Sequence, residues 1–205
     1  MKKSLAAALL LALLALPSAA AVPADATGTW NVDRVHSEIG FSVRHFVSKV
    51  SGGFTDFSGA IRIDAEKPEA SSVEFAIKVA SINTNEPKRD AHLKSPDFFD
   101  AEKFPEIRFV SRKVVPKSDT AYEVIGDLTM HGVTKEVTLP VSFNGIAKDP
   151  WGGERAGFET AIRLNRQDYG IKWNKVLDQG GTMLSDDAAV TISLETTKSR
   201  PAAAK

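Results

Sequence analysis

From Thr27 onward, apolar and polar side chains alternate along the chain with a period of two. Ile39, Phe41, Val43 and His45 share one side of a strand, with Glu38, Ser42 and Arg44 on the other. Val73, Phe75, Ile77 and Val79 repeat the arrangement opposite Glu74, Ala76 and Lys78. Val133, Val137, Leu139, Val141 and Phe143 do so opposite Thr134, Glu136, Thr138 and Ser142. Phe158, Ile162 and Leu164 continue the pattern, as do Val190, Ile192 and Leu194. Successive side chains of a strand point to opposite faces, so each segment turns one face to a core and one to water. Shorter candidates at 54–63, 107–115 and 122–130 bring the total to about eight strands, the spacing of a sandwich or barrel. Lys67-Pro68-Glu69, Lys117-Ser118-Asp119 and His131-Gly132 supply turns, and Gly132 offers the positive φ that a tight hairpin requires. The pattern predicts an all-β, single-domain antiparallel fold.

Two stretches interrupt it. Residues 83–100 are polar: Asn83 or Asn85 can cap a helix there, Pro87 suits its first turn and Pro96 ends it. A short helix is predicted, with Phe98 and Phe99 packing onto the rest. Residues 165–181 carry Arg166, Asp168, Gly170, Trp173, Gly180 and Gly181, and read as a long structured loop.

The first residues read as an export signal rather than part of the fold. Lys2 and Lys3 precede an unbroken Leu/Ala run from Leu5 to Leu16, then Pro17, Ser18 and three alanines. This order predicts a signal peptide over 1–21 with cleavage after Ala21 and, with it, a periplasmic protein. The apolar run is shorter than the roughly 20 residues that cross a bilayer, so no stable membrane anchor is expected. The barrel domain is placed at 22–198, and 199–205 is expected to be a disordered tail.

Composition narrows the function. The chain has no cysteine, so it is stabilised without disulfides and cannot be tethered as a lipoprotein. The formal charge is zero, and removal of Lys2 and Lys3 leaves 24 basic against 26 acidic side chains. Near-neutrality without a basic cluster argues against nucleic acid as a partner. The histidines stand at 36, 45, 92 and 131, without the close pairing of a zinc site. No Gly-x-Ser-x-Gly elbow and no glycine-rich phosphate loop occurs. No catalytic residue, cofactor or metal ligand is assigned, and an enzyme is not expected.

A set of ordered blocks resembles the YceI-like family, also called polyisoprenoid-binding. They run from Trp30-Asn31-Val32-Asp33 and His36-Ser37 through Phe41-Ser42-Val43-Arg44-His45, Gly52-Gly53-Phe54 and Ser81-Ile82-Asn83-Thr84. Arg89-Asp90, His92-Leu93-Lys94-Ser95, Asp97-Phe98-Phe99-Asp100 and Phe104-Pro105-Glu106-Ile107-Arg108-Phe109 follow. The set closes with Gly126-Asp127-Leu128-Thr129-Met130-His131-Gly132 and Arg166-Gln167-Asp168-Tyr169-Gly170-Ile171. The resemblance implies an eight-stranded, lipocalin-like barrel that binds an isoprenoid or other long-chain lipid in its interior. Gly28-Thr29-Trp30 is similar to the opening of lipocalins, whose Trp plugs one barrel end.

An eight-stranded barrel has room for its own side chains or for one small ligand. The inward candidates are Phe41, Val43, His45, Phe75, Ile77 and Leu128, with Arg89 and His92 on the helix and Arg166, Asp168 and Trp173 in the long loop. His45 is either a satisfied core histidine or a ligand contact. Arg89, Asp90 and His92 either cover an opening or belong to a capping network with Asn83 and Asp100. Arg166 and Asp168 either form a buried salt bridge or touch the ligand. A carrier of a polyisoprenoid, quinone precursor or fatty chain is expected. The alternative is a protein-binding scaffold with a solid core, and edge pairing into a homodimer is compatible with either.

Overall fold

The computed structural model describes residues 22–178 and 180–199, so the signal segment and all of the tail but Ser199 lie outside the described residues. The strands are β1 (Gly28–Val32), β2 (Glu38–His45), β3 (Ser48–Phe54), β4 (Phe57–Ile63), β5 (Ser72–Lys78), β6 (Ile82–Asn83), β7 (Glu106–Pro116), β8 (Ala121–Met130), β9 (Val133–Lys148), β10 (Glu154–Asn165) and β11 (Leu184–Lys198), with one helix, α1 (Pro87–Lys94), among the described residues. All pairings between strands are antiparallel. The order β1-β4-β5-β7-β8-β9-β10-β11 closes on itself through β11 and β1, giving an eight-stranded barrel.

The remaining three segments extend barrel strands beyond a break. β2 prolongs β1, β3 precedes β4 and β6 follows β5, and the three pair side by side in the order β11-β2-β3-β6. The long β11 spans the break: Thr196 to Lys198 pair with β1, and Leu184 to Ser193 pair with β2. The 54–63 segment therefore is not one strand; Thr55 and Asp56 interrupt it. Val79, expected to continue β5, lies in a 3-10 turn (Val79–Ser81) yet is only 1% exposed. The breaks sit against one another and use their free backbone groups mutually. Arg34 Nη1 donates to the Thr55 carbonyl (3.1 Å), the Lys78 amide to that of Asp56 (2.9 Å), and the Thr55 amide to that of Ser81 (3.2 Å). Backbone groups that leave the ladder need other partners, and the interrupted strands find them across the breaks.

The predicted hairpin between β8 and β9 forms with His131 at φ 51° and Gly132 at φ 75°, the pair of positive angles whose twist suits a two-residue turn. On the same strand, a Cβ at Gly126 would stand 2.4 Å from the Val110 carbonyl, so β7 closes on β8 there, beside a register shift between Ser111 and Lys113. The helix is capped by Glu86, whose carboxylate accepts from the Lys88 and Arg89 amides (3.2 and 2.5 Å). Asn83 and Asn85 were the candidates in the sequence, but Asn83 turns its side chain to the Asn85 amide (2.8 Å) instead. Phe98 is buried and Phe99 packs beside it, as expected.

Trp30 is fully buried beside Ile61, Phe143 and Ala156; its indole donates to the Ala26 carbonyl (2.8 Å), and the Lys198 ammonium lies 5.4 Å from its ring. The break between β1 and β2 is latched by charge. Asp33 accepts from the Val35 amide (3.1 Å), meets His36 Nδ1 (2.9 Å) and pairs with Arg155 Nη1 (2.6 Å), which also reaches Glu195 (2.7 Å). The His36 ring and the Arg155 guanidinium hold the Asp33 carboxyl below the ordinary carboxylate range, against the opposing effect of its burial.

Two expectations follow. Trp30→Ala removes a wholly buried indole and its hydrogen bond; urea titration should show a loss of about 3–5 kcal/mol. Because the folded-state pKa of Asp33 is depressed, its contribution is present above pH ~4 and is lost as pH falls through the lower folded value. Denaturation midpoints measured at pH 6 and pH 2.5 should therefore converge for the wild type and Asp33→Asn at the acid end and separate at the upper one.

Candidate functional site

The inward faces of the barrel do not meet in the middle. They enclose a cavity of about 500 Å³ that runs from Val22, Asp64 and Ser71 at one end to His45, Arg89, His92 and Trp173 at the other. The walls follow the period-two pattern: Phe41 and Val43 from β2, Phe75 and Ile77 from β5, Leu128 from β8, Val137 and Leu139 from β9, Ile162 and Leu164 from β10, and Val190 and Ile192 from β11. Volume and lining fall in the range of small-molecule sites, which are concave, mostly apolar and fitted with few polar groups.

The end formed by α1 and the 166–183 loop is capped by aromatic rings. His92, Phe98 and Trp173 have ring centroids 5.0–5.1 Å apart, two of the three contacts edge-on. His92 Nε2 meets Asp97 (2.8 Å), which fixes the ring from outside. Arg166 holds the loop down: 7% exposed, it donates to the carbonyls of Ile171 and Trp173 (2.8 Å each) and Ser185 (3.0 Å), and reaches Asp186 (3.3 Å). Burial pushes its pKa below the ordinary guanidinium value, and the Asp186 charge opposes this. Arg89 donates Nε to the Thr84 hydroxyl and Nη2 to the Thr84 carbonyl (2.8 Å each), while Asp90 accepts from the Thr84 amide and hydroxyl (2.8 and 2.5 Å).

Ten of the eleven residues proposed from the sequence line this cavity: Phe41, Val43, His45, Phe75, Ile77, Arg89, His92, Leu128, Arg166 and Trp173. Asp168 does not. The 3-10 turn Arg166–Tyr169 sends Arg166 and Tyr169 inward and leaves Asp168 exposed, where it pairs with Lys135 (3.3 Å). The Arg166–Asp168 salt bridge is thus replaced by Arg166 with Asp186. The network on α1 likewise differs from the expected one: Thr84, not Asn83 or Asp100, accepts from Arg89 and donates to Asp90. Thr84, Phe54 and Phe109 also line the cavity, and the alternation of their own strands carried the signal for the two phenylalanines. The Thr160 hydroxyl, on the cavity wall, is buried with no hydrogen-bond partner among the described residues.

Outside the cavity, Asp33, His36 and Glu195 bring ligand atoms within 4.8 Å of one another. Arg155 bonds both carboxylates, so that cluster already has its counter-cation.

The architecture has counterparts among solved structures. A YceI protein of Campylobacter jejuni is 31% identical, with a TM-score of 0.64 over 82% of this chain and 97% of that one. A polyisoprenoid binding domain from Saccharophagus degradans, 14% identical, shares the fold with a TM-score of 0.65 over 83% of this chain and 98% of that one. By sequence, a UPF0312 protein of Pseudomonas savastanoi is 43% identical over 175 residues, 84% of this chain and 88% of that protein. The YceI-like domain model matches residues 30–196, nearly the whole described barrel, and the chain belongs to the YceI-like family.

Proposed function

We propose that the protein is a carrier that shelters one long apolar molecule, such as a polyisoprenoid, a quinone precursor or a fatty chain, in the periplasm, without chemical turnover. The observation that carries this reading is the hollow, apolar interior of a closed barrel. Each buried CH₂ contributes about 0.8 kcal/mol, so a long chain binds tightly with few polar contacts. Selectivity for chain length is loose for the same reason. The polyisoprenoid-binding domain of Saccharophagus degradans supports the lipid class by its shared fold, and the leader-like segment supports export. A protein-binding scaffold with a solid core fits the cavity poorly.

Native mass spectrometry of protein purified from its own periplasm without detergent, followed by organic extraction, should reveal a discrete long-chain lipid. Bare protein that also fails to take up added prenyl or fatty chains would reject the carrier. Phe41→Asp and Phe75→Asp place a charge on the cavity wall and should abolish retention while leaving export intact. Trp173→Ala opens the aromatic cap; a fluorescent fatty-chain probe should then exchange about fivefold faster, one aromatic contact being worth on the order of 1 kcal/mol.

A further inference from the structure

The two ends of the cavity differ in charge. At one end stands Asp64, whose carboxylate accepts from the Glu66 and Lys67 amides (3.1 and 2.8 Å), beside Ser71. At the other stand Arg89, His92, His45 and Arg166. Arg166 is consumed by three carbonyls and Asp186, and His92 by Asp97. Arg89 is different. Half-buried, it is held by Nε and Nη2 on a single residue, Thr84, and no carboxylate lies within 4.0 Å of it among the described residues.

The neighbouring acids are engaged elsewhere: Asp90 on the Thr84 amide and hydroxyl, Glu86 on the helix N-terminal amides, Asp97 on His92 and Asp186 on Arg166 and Gln167. Two hydrogen bonds to Thr84 fix the plane of the guanidinium and leave Nη1 with no hydrogen-bond partner among the described residues. A guanidinium has five N–H donors in a rigid fork, a geometry that matches phosphate and carboxylate oxygens. A cation kept at the end of an apolar cavity without a counter-ion is unfavourable until an anion arrives.

We infer that the cargo is a single-chain lipid with an anionic head, a phosphate or a carboxylate, bound with its head on Arg89 and its tail running toward Asp64. The inference rests on the carrier reading and deepens it. The polarity of the cavity fixes the direction of the chain, because the reverse orientation would put the anion against the Asp64 carboxylate. Thr84 has a positioning role: it aims Arg89 and takes no part of the ligand's charge.

Two pairs of probes, each pair differing only in the head, test this on the delipidated protein: geranylgeranyl monophosphate with geranylgeraniol, and palmitic acid with hexadecanol. Competition for a bound fluorescent chain gives the ratio of acid to alcohol affinity. A ratio of about ten or more for either pair is expected, the size of one charge-assisted contact, and the pair that shows it tells phosphate from carboxylate. Arg89→Gln should bring that ratio to near one by weakening the acids far more than the alcohols, and Arg89→Lys should keep part of it. Acids and alcohols bound equally by the wild type, or a ratio unchanged in Arg89→Gln, would overturn the inference and leave the carrier standing. Binding of none of the four probes would overturn both. If Arg89→Gln disturbs α1, Thr84→Val, which removes the Nε contact but keeps the Nη2 bond to the backbone carbonyl and the charge, should still favour the acids, and a loss of preference there equal to that in Arg89→Gln would make Arg89 a structural residue only.

Discussion

Everything in this molecule depends on β11 closing the sheet. One long strand pairs with β10 along eleven registered positions and then divides its other edge between β1 and β2. Without that closure the sheet would have two free edges and an apolar face open to water. With it, the wall can be thin, because each of the eight ring strands has a hydrogen-bonded neighbour on both sides and the interior need not be packed solid to define the fold. The charge latch of Asp33, Arg155 and Glu195 sits where the closure is weakest, at the gap between the two segments that β11 must bridge.

A hollow barrel forgoes the dispersion contacts and apolar burial of a filled one. Its buried clusters accordingly lie around the cavity: Trp30 with Phe143 and Ala156, Phe109 with Val114 and Val124, and a larger group from Ile39 to Ile171 that joins the loop and helix to the wall. The chain has no cysteine to compensate. These clusters, together with buried ties such as the Thr196 hydroxyl on the Ala156 carbonyl (3.0 Å), hold the barrel around its cavity.

Much of this was legible in the residues. Alternation placed Phe41, Val43, Phe75, Leu139 and Ile192 on the inner face, because period two is a local property that any strand must express. The breaks were not legible: Phe54 to Ile63 reads as one apolar strand, and only the neighbouring turns at Arg34 and Ser81 explain why Thr55 and Asp56 leave the ladder. Partners of charged groups were legible only where the chain places them close by. Asp186 lies twenty residues after Arg166, on another element, so nearby Asp168 stood in for it in a reading confined to sequence neighbours. Whether the inner faces touch is likewise a global property of barrel closure that no single segment encodes.

The ladder between β9 and β10 carries a consequence of its own. It stops at Thr160 and Val141, although β9 runs back to Val133 and β10 on to Asn165. Beyond that point the two strands are tied through the following turn, by His131 Nδ1 to the Tyr169 carbonyl (3.0 Å) and by Lys135 to Asp168. The barrel is therefore stiff around most of its circumference and compliant along one line. Along that line no ladder hydrogen bond joins the two strands, and their spacing is set by side chains and the turn alone, as a garment is set at a single seam.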